Sequence, residues 1–201
     1  MKDWNEIKVW RVTTRKELLE ARAGLPEATR RALGERITRH LVTALVPHAD
    51  DCIGFYWPIR GEIDLRSALH QWCTGAVRAA LPVVVAKDAA MIFRPWHPAA
   101  AMTTGVWDIP IPATEETIAP TVLLIPLVGF DDKGYRLGYG GGFYDRTLAG
   151  MTSAPLTIGI GLASSRLPSV HPQPHDIPLA AILTEEGWAR PLPATEPRRR
   201  G

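Results

Sequence analysis

Cysteine is scarce in this chain of 201 residues: there are two, Cys52 and Cys73, with no CxxC spacing and no histidine pattern beside them. A disulfide scaffold and a cysteine-built zinc site are therefore excluded, and the two read as buried thiols in a reducing compartment, one on a strand and one on a helix. Net charge is also lacking. The formal value of +2 is small and dispersed, which argues against nucleic acid as a partner. The only compact basic run, Arg198 to Arg200, sits at the end of a stretch (191–201) that reads as a disordered tail beyond a domain over 1–190. No apolar run is long enough to span a bilayer, and the first ten residues have no signal-peptide core, so a cytoplasmic protein is expected.

What the chain does have is apolar side chain, 46% of its residues, enough for one packed core. From 14 to about 46 the period is helical: Leu18 and Leu19, a break at Gly24 to Pro26, then Leu33, Ile37, Leu41 and Leu45 at steps of four. Pro26 suits the first turn of the second helix. The period then changes. A strand over 52–57 ends at Pro58 and a Gly61 turn, and Asp64 follows as N-cap of a helix carrying Leu65, Ala68, Leu69 and Trp72. Further strands are predicted over 77–85, 91–96, 122–127, 156–162 and 181–183, several apolar on both faces. The prolines gather in the connections between them. These features predict a single α/β domain with a mostly parallel sheet flanked by helices.

The stretch 123–146, LLIPLVGFDDKGYRLGYGGGFYDR, runs a buried strand into six glycines and then a helix start at Phe143. Glycine lets a backbone approach a ligand closely, and amides at a helix N-terminus attract anions. The loop is neither a Walker A motif nor the GxGxxG of a dinucleotide site, so a tight structural turn and a phosphate cradle both remain open. Arg136 beside it, and Phe143, Tyr144 and Asp145 after it, add a cation, a ring platform and a carboxylate. His175 and Asp176 form a second polar pair. With no marked serine or cysteine nucleophile nearby, they read as a structural turn.

RLGYGGGFYDR, preceded by IPLVGFDDKGY, resembles the C-terminal signature of the 5-formyltetrahydrofolate cyclo-ligases, also called methenyltetrahydrofolate synthetases. Arg11 and Arg15, YWPIRGEID, WDIPIP and PHDIPLAAILTEEG resemble further segments of that family, in family order, over roughly 11 to 187. The resemblance implies a fold shared with phosphosugar isomerases and CoA transferases, and ATP, magnesium and a reduced folate as small-molecule partners of a monomer. Nucleic acid and membrane have no part in it.

Position by position, it implies that Arg11, Arg15, Arg136, Leu137, Gly138, Tyr139, Gly140, Gly141, Gly142, Phe143 and Tyr144 contact ATP. Trp57, Glu62, Tyr139, Gly140, Gly141, Gly142 and Phe143 contact folate, with Trp107 as a further wall for the ring, and Asp145 holds magnesium. Arg136, Tyr144 and Asp145 are the candidate catalytic residues. The sequence departs from the family pattern at three places: Arg11 stands for lysine, Gln173 for glutamate, and Ala180 for a second acidic metal ligand. The implied reaction is ATP-dependent closure of 5-formyltetrahydrofolate to 5,10-methenyltetrahydrofolate with release of ADP and phosphate. The alternative is a paralogue that binds folate or nucleotide without ligase activity.

Overall fold

In the computed structural model, which describes residues 3–73 and 75–193, the N-terminal helix begins earlier than the apolar period suggests. Helix α1 spans Trp4–Ala23, because Asp3 caps it: its carboxylate accepts from the backbone amides of Asn5 and Glu6, and Glu6 reaches back to the amide of Asp3. This reciprocal capping box offsets the unsatisfied amides of the first turn, so a polar segment without apolar periodicity is helical. After Gly24 the chain restarts at Pro26, which stands at the N-cap of α2 (Glu27–Ala44). The third helix, α3, is Arg66–Trp72, with Leu65 at the cap position. Asp64 lies one residue earlier than a cap, accepting from the Arg66 amide and guanidinium. Helix α4 is Phe143–Gly150, starting where the glycine run predicts.

The strands are β1 (Cys52–Gly54), β2 (Arg78–Val83), β3 (Ile92–Trp96), β4 (Met102–Thr104), β5 (Pro110–Pro112), β6 (Val122–Pro126), β7 (Gly129–Phe130), β8 (Arg136–Leu137), β9 (Leu156–Ile160), β10 (Ala181–Thr184) and β11 (Gly187–Arg190). Seven of them form one sheet, ordered β11-β10-β9-β6-β1-β2-β3. Its central pairs are all parallel and its two edge pairs, β2 with β3 and β10 with β11, are antiparallel. The hairpins β4-β5 and β7-β8 form separate two-stranded ladders.

Alternation along the strands divides the core. Ile53, Val122, Leu124, Ile158, Ala181 and Leu183 face one side, where Ile37 and Leu41 of α2 and Leu69 of α3 cover them. Cys52, Leu123, Ile125 and Ile182 face the other, against Leu148 of α4. Successive strand residues point to opposite faces, so a sheet covered on both sides needs apolar residues at every position, which is why these strands read as unbroken apolar runs. Close packing is strictest at Gly54, where an added Cβ would lie 2.5 Å from a Leu123 methyl. The expected tail lies, from residue 194 onward, outside the described residues.

Candidate active site at the carboxyl ends of the sheet

The chain leaves β1 toward β2 on one side, while β6 and β9 lie on the other. In open α/β sheets ligands bind at such a switch point, outside the carboxyl ends of the strands. Here that region holds the loop after β1 (Tyr56, Trp57, Glu62), the end of β6 (Leu127, Val128), the glycine loop, and α1 lying across them. A cavity of about 160 Å³ opens there, lined by Arg22, Tyr56, Glu62, Leu127, Gly161 and Ser165 among others.

Helix α1 brings three arginines to this site. With 3.6 residues per turn, positions 11, 15 and 22 fall within about 40° of one another around the axis. Arg11 pairs with Asp176 at 3.0 Å. Arg15 donates from Nε to the carbonyl of Gly138 at 2.6 Å, and its guanidinium underlies Gly140. Burial and the neighbouring Arg11 cation hold the Arg15 guanidinium below its ordinary pKa. Arg22, itself buried, donates to the carbonyls of Arg60 and Leu127 and to the hydroxyl of Tyr139.

Tyr139 donates in turn to Glu62 Oε1 at 2.8 Å, and Glu62 Oε2 accepts the amide of Ile59 at 2.9 Å. Burial pushes the Glu62 carboxyl up. The Ile59 and Tyr139 hydrogen bonds and the charges of Arg22 and Arg60 draw it back. The Tyr139 and Tyr144 phenols are raised by burial and by the Glu62 charge, so both stay protonated donors near neutrality.

The glycine loop is built for close approach. Gly140 has φ +97° and Gly142, the residue before α4, has φ +66°, conformations a β-carbon disfavours. Arg146 closes the loop from below, donating to the carbonyl of Gly141 at 2.6 Å and stacking on Phe143. The first amides of α4, as at any helix start, have no partner within the helix. Leu137 enters this site through its backbone alone, since its side chain is fully buried in the core.

Arg136 and Asp145 clamp the backbone of one residue, Ile177, from its two sides. Arg136 Nη1 donates to the carbonyl of Ile177 at 2.9 Å, and Asp145 Oδ1 accepts the Ile177 amide at 3.0 Å. Arg136 Nη2 lies 2.9 Å from the same carboxylate oxygen, close enough for charge attraction but not aligned for a hydrogen bond. Buried polar atoms without partners are rare in folded proteins. Two of the three side-chain atoms in that state among the described residues, Arg11 Nε and Arg136 Nη2, belong to this cluster. Each of these arginines already pairs with a carboxylate, Arg11 with Asp176 and Arg136 with Asp145, and keeps one buried N–H without a hydrogen bond.

The remaining predicted residues are less enclosed. Trp57 packs on the first core cluster with the Arg66 guanidinium 4.6 Å above its ring. Trp107 is 64% exposed, has φ +57°, and meets the ring of Phe143 edge-on at 5.6 Å, so it stands at the rim of the glycine loop. His175 is exposed, whereas Asp176 closes a turn with Gln173 and anchors Arg11, as a structural pair would. Arg22 and Arg146 went unrecognised in the sequence. The signal for Arg22 was its place seven residues after Arg15, two turns along the same face.

Fold and site together define an α/β protein with an arginine-rich polar site at the carboxyl ends of a mostly parallel sheet. The 5-formyltetrahydrofolate cyclo-ligase family model matches residues 7–185, and the chain belongs to that family. It is 29% identical to the 5-formyltetrahydrofolate cyclo-ligase of Escherichia coli K12, covering 87% of this chain and 93% of that one. It is 31% identical to the Mycolicibacterium smegmatis protein of the same name, covering 85% and 91%. The solved 5,10-methenyltetrahydrofolate synthetase of Aquifex aeolicus superposes with a TM-score of 0.77 at 27% identity, over 94% of this chain and 97% of that one.

Proposed function

We propose that this protein closes 5-formyltetrahydrofolate to 5,10-methenyltetrahydrofolate at the expense of ATP, as a cytoplasmic monomer. The observation that carries the reading is the joining of a buried acceptor that lines the cavity, Glu62, to a glycine loop held by Arg15, through the hydrogen bond that Tyr139 of that loop donates to Glu62. One suits the donor edge of a pterin and the other a triphosphate.

In this reading the pterin enters the cavity and its amino edge donates to the free lone pairs of Glu62. We place Trp57, on the loop that carries Glu62, and Tyr139, bonded to Glu62, against the part of the ring outside the cavity lining. The loop amides from Gly138 to Gly142, together with Arg11, Arg15 and Arg136, hold the phosphates, and Phe143 and Trp107 flank the loop. The formyl oxygen on N5 attacks the γ-phosphorus and the bond to ADP breaks. N10 then attacks the activated carbon, the carbon–oxygen bond breaks to release phosphate, and the N10 proton is lost as the ring closes. Phosphoryl transfer of this kind requires in-line positioning and charge neutralisation rather than a covalent protein nucleophile. Arg136 and the Tyr144 hydroxyl, protonated at neutral pH, are the groups we place nearest the transferring phosphoryl.

Magnesium is expected to arrive on the triphosphate as part of the substrate. No group of three or more histidine, cysteine, aspartate or glutamate side chains among the described residues could cage an ion. Asp145 already commits Oδ1 to Arg136 and Ile177. That donor set fits an ion held mainly by phosphate oxygens and water, with Asp145 as its one carboxylate contact. The reading is tested by incubating the protein with 5-formyltetrahydrofolate and following methenyltetrahydrofolate absorbance with and without MgATP. ATP-dependent product formation supports it, and folate binding without turnover would replace it with the non-ligase alternative.

A further inference from the structure

A carboxylate that must accept hydrogen bonds from a ligand has to be kept ionised and correctly oriented, and burial works against both. Glu62 is 8% exposed, and its carboxyl is surrounded from every packed element by groups that influence its proton. Tyr139 comes from the glycine loop, Arg22 from α1, Tyr56 from the end of β1, Tyr144 from α4, and Arg60 and the Ile59 amide from its own loop. Among these, Arg22 touches Tyr139 directly and lines the same cavity as Glu62.

A guanidinium has donors only. Because Arg22 donates to the Tyr139 oxygen, the single phenolic hydrogen is directed away from Arg22 and onto Glu62 Oε1. We propose that Arg22 is a positioning residue for folate: it fixes the direction of the Tyr139 hydroxyl and so holds Glu62 as an acceptor-only carboxylate facing the pterin. The proposal rests on the folate reading above. Arg22 lines the cavity, and the three hydrogen bonds of its guanidinium all go to the protein. It acts through Tyr139 and through the carbonyls of Arg60 and Leu127, which tie α1 to both loops that shape the cavity.

Two substitutions separate this role from simple bracing. Arg22→Lys and Arg22→Gln both shorten the side chain and disturb the bonds to Arg60 and Leu127. Lysine remains a donor-only cation, whereas the neutral glutamine presents a carbonyl that can take the Tyr139 hydrogen away from Glu62. Losing the cation also raises the Glu62 carboxyl further, so the glutamine variant binds folate poorly at acid pH and recovers as pH rises and Glu62 ionises.

Binding of 5-formyltetrahydrofolate, measured by calorimetry from about pH 6 to about pH 9, is expected to fall about tenfold at the acid end in Arg22→Gln and to recover toward the alkaline end. Arg22→Lys is expected to stay within about threefold of wild type across the range. MgATP binding by each variant checks that the site is intact. Equal weakening by the two variants, or a loss independent of pH, overturns the assignment of Arg22. Should the glutamine variant not fold, the lysine profile decides alone: a flat profile supports the role and a new acid limb overturns it. If wild type cyclises 5-formyltetrahydrofolate but the variants behave alike, only the Arg22 proposal falls; if wild type does not bind the folate, the functional reading falls with it.

Discussion

Replacing Glu62 with glutamine keeps the shape of the side chain and removes its charge, which makes it the sharpest probe of the folate half of the site. Both carboxylate oxygens are in use, Oε1 by Tyr139 at 2.8 Å and Oε2 by the Ile59 amide at 2.9 Å. An amide can satisfy only one of these donors. With its oxygen toward Ile59, its NH2 meets a Tyr139 oxygen that already receives Arg22, and the phenolic hydrogen loses its acceptor. The ligand side loses a charged acceptor as well. A hydrogen bond to a charged group contributes about 1.5–3 kcal/mol, so affinity for 5-formyltetrahydrofolate should drop about tenfold to 150-fold. MgATP affinity should be nearly unchanged, because the arginines and loop amides are untouched.

The stability of Glu62→Gln carries an independent signature. Burial raises the folded-state pKa of Glu62 above its unfolded value. The wild-type advantage over the variant is then fully present below the unfolded pKa of about 4.3, and shrinks as pH rises through the higher folded value. Calorimetry with each ligand, and paired melting curves across that range, check both parts. Unchanged folate affinity, or equal loss of both ligands, would refute the role assigned to Glu62.

Gly140→Ala forces a β-carbon onto a residue at φ +97° beside the Arg15 guanidinium. It should cost about 1–2 kcal/mol of stability and diminish the rise in melting temperature that MgATP produces. Ala180→Asp, which restores the acid that the family pattern has there, should lower the magnesium concentration for half-maximal activity. Asp145→Asn should instead nearly abolish turnover, and a titration of free magnesium in the cyclisation assay reads both. Cys52 is fully buried and its thiol is pushed up to about 11, so iodoacetamide at about pH 8 should label it only after unfolding, as mass spectrometry would show.

The sheet was legible in the sequence because its central strands are apolar on both faces, and the glycine run marked both the loop and the start of α4. What escaped were elements without apolar period. The first ten residues of α1 are helical through a cap, and the short pairs β4-β5 and β7-β8 hold only two or three residues a side. Strand ends were over-read for a similar reason: after Gly54 the chain stays extended, with Phe55 still donating to Ala80, but the regular ladder has ended. In the site, Glu62 stood out through the segment YWPIRGEID, which resembles a strand and loop of the family. Its dependence on Tyr139 and Arg22 did not, since those residues lie 77 and 40 positions away in sequence and meet only when α1 crosses the sheet's carboxyl ends.

The most direct test of the functional account is the appearance of methenyltetrahydrofolate absorbance when purified protein meets 5-formyltetrahydrofolate. Product should accumulate only when MgATP is present, with one ADP released for each ring closed. Cyclisation at the same rate without ATP, or ADP release without product, would contradict it.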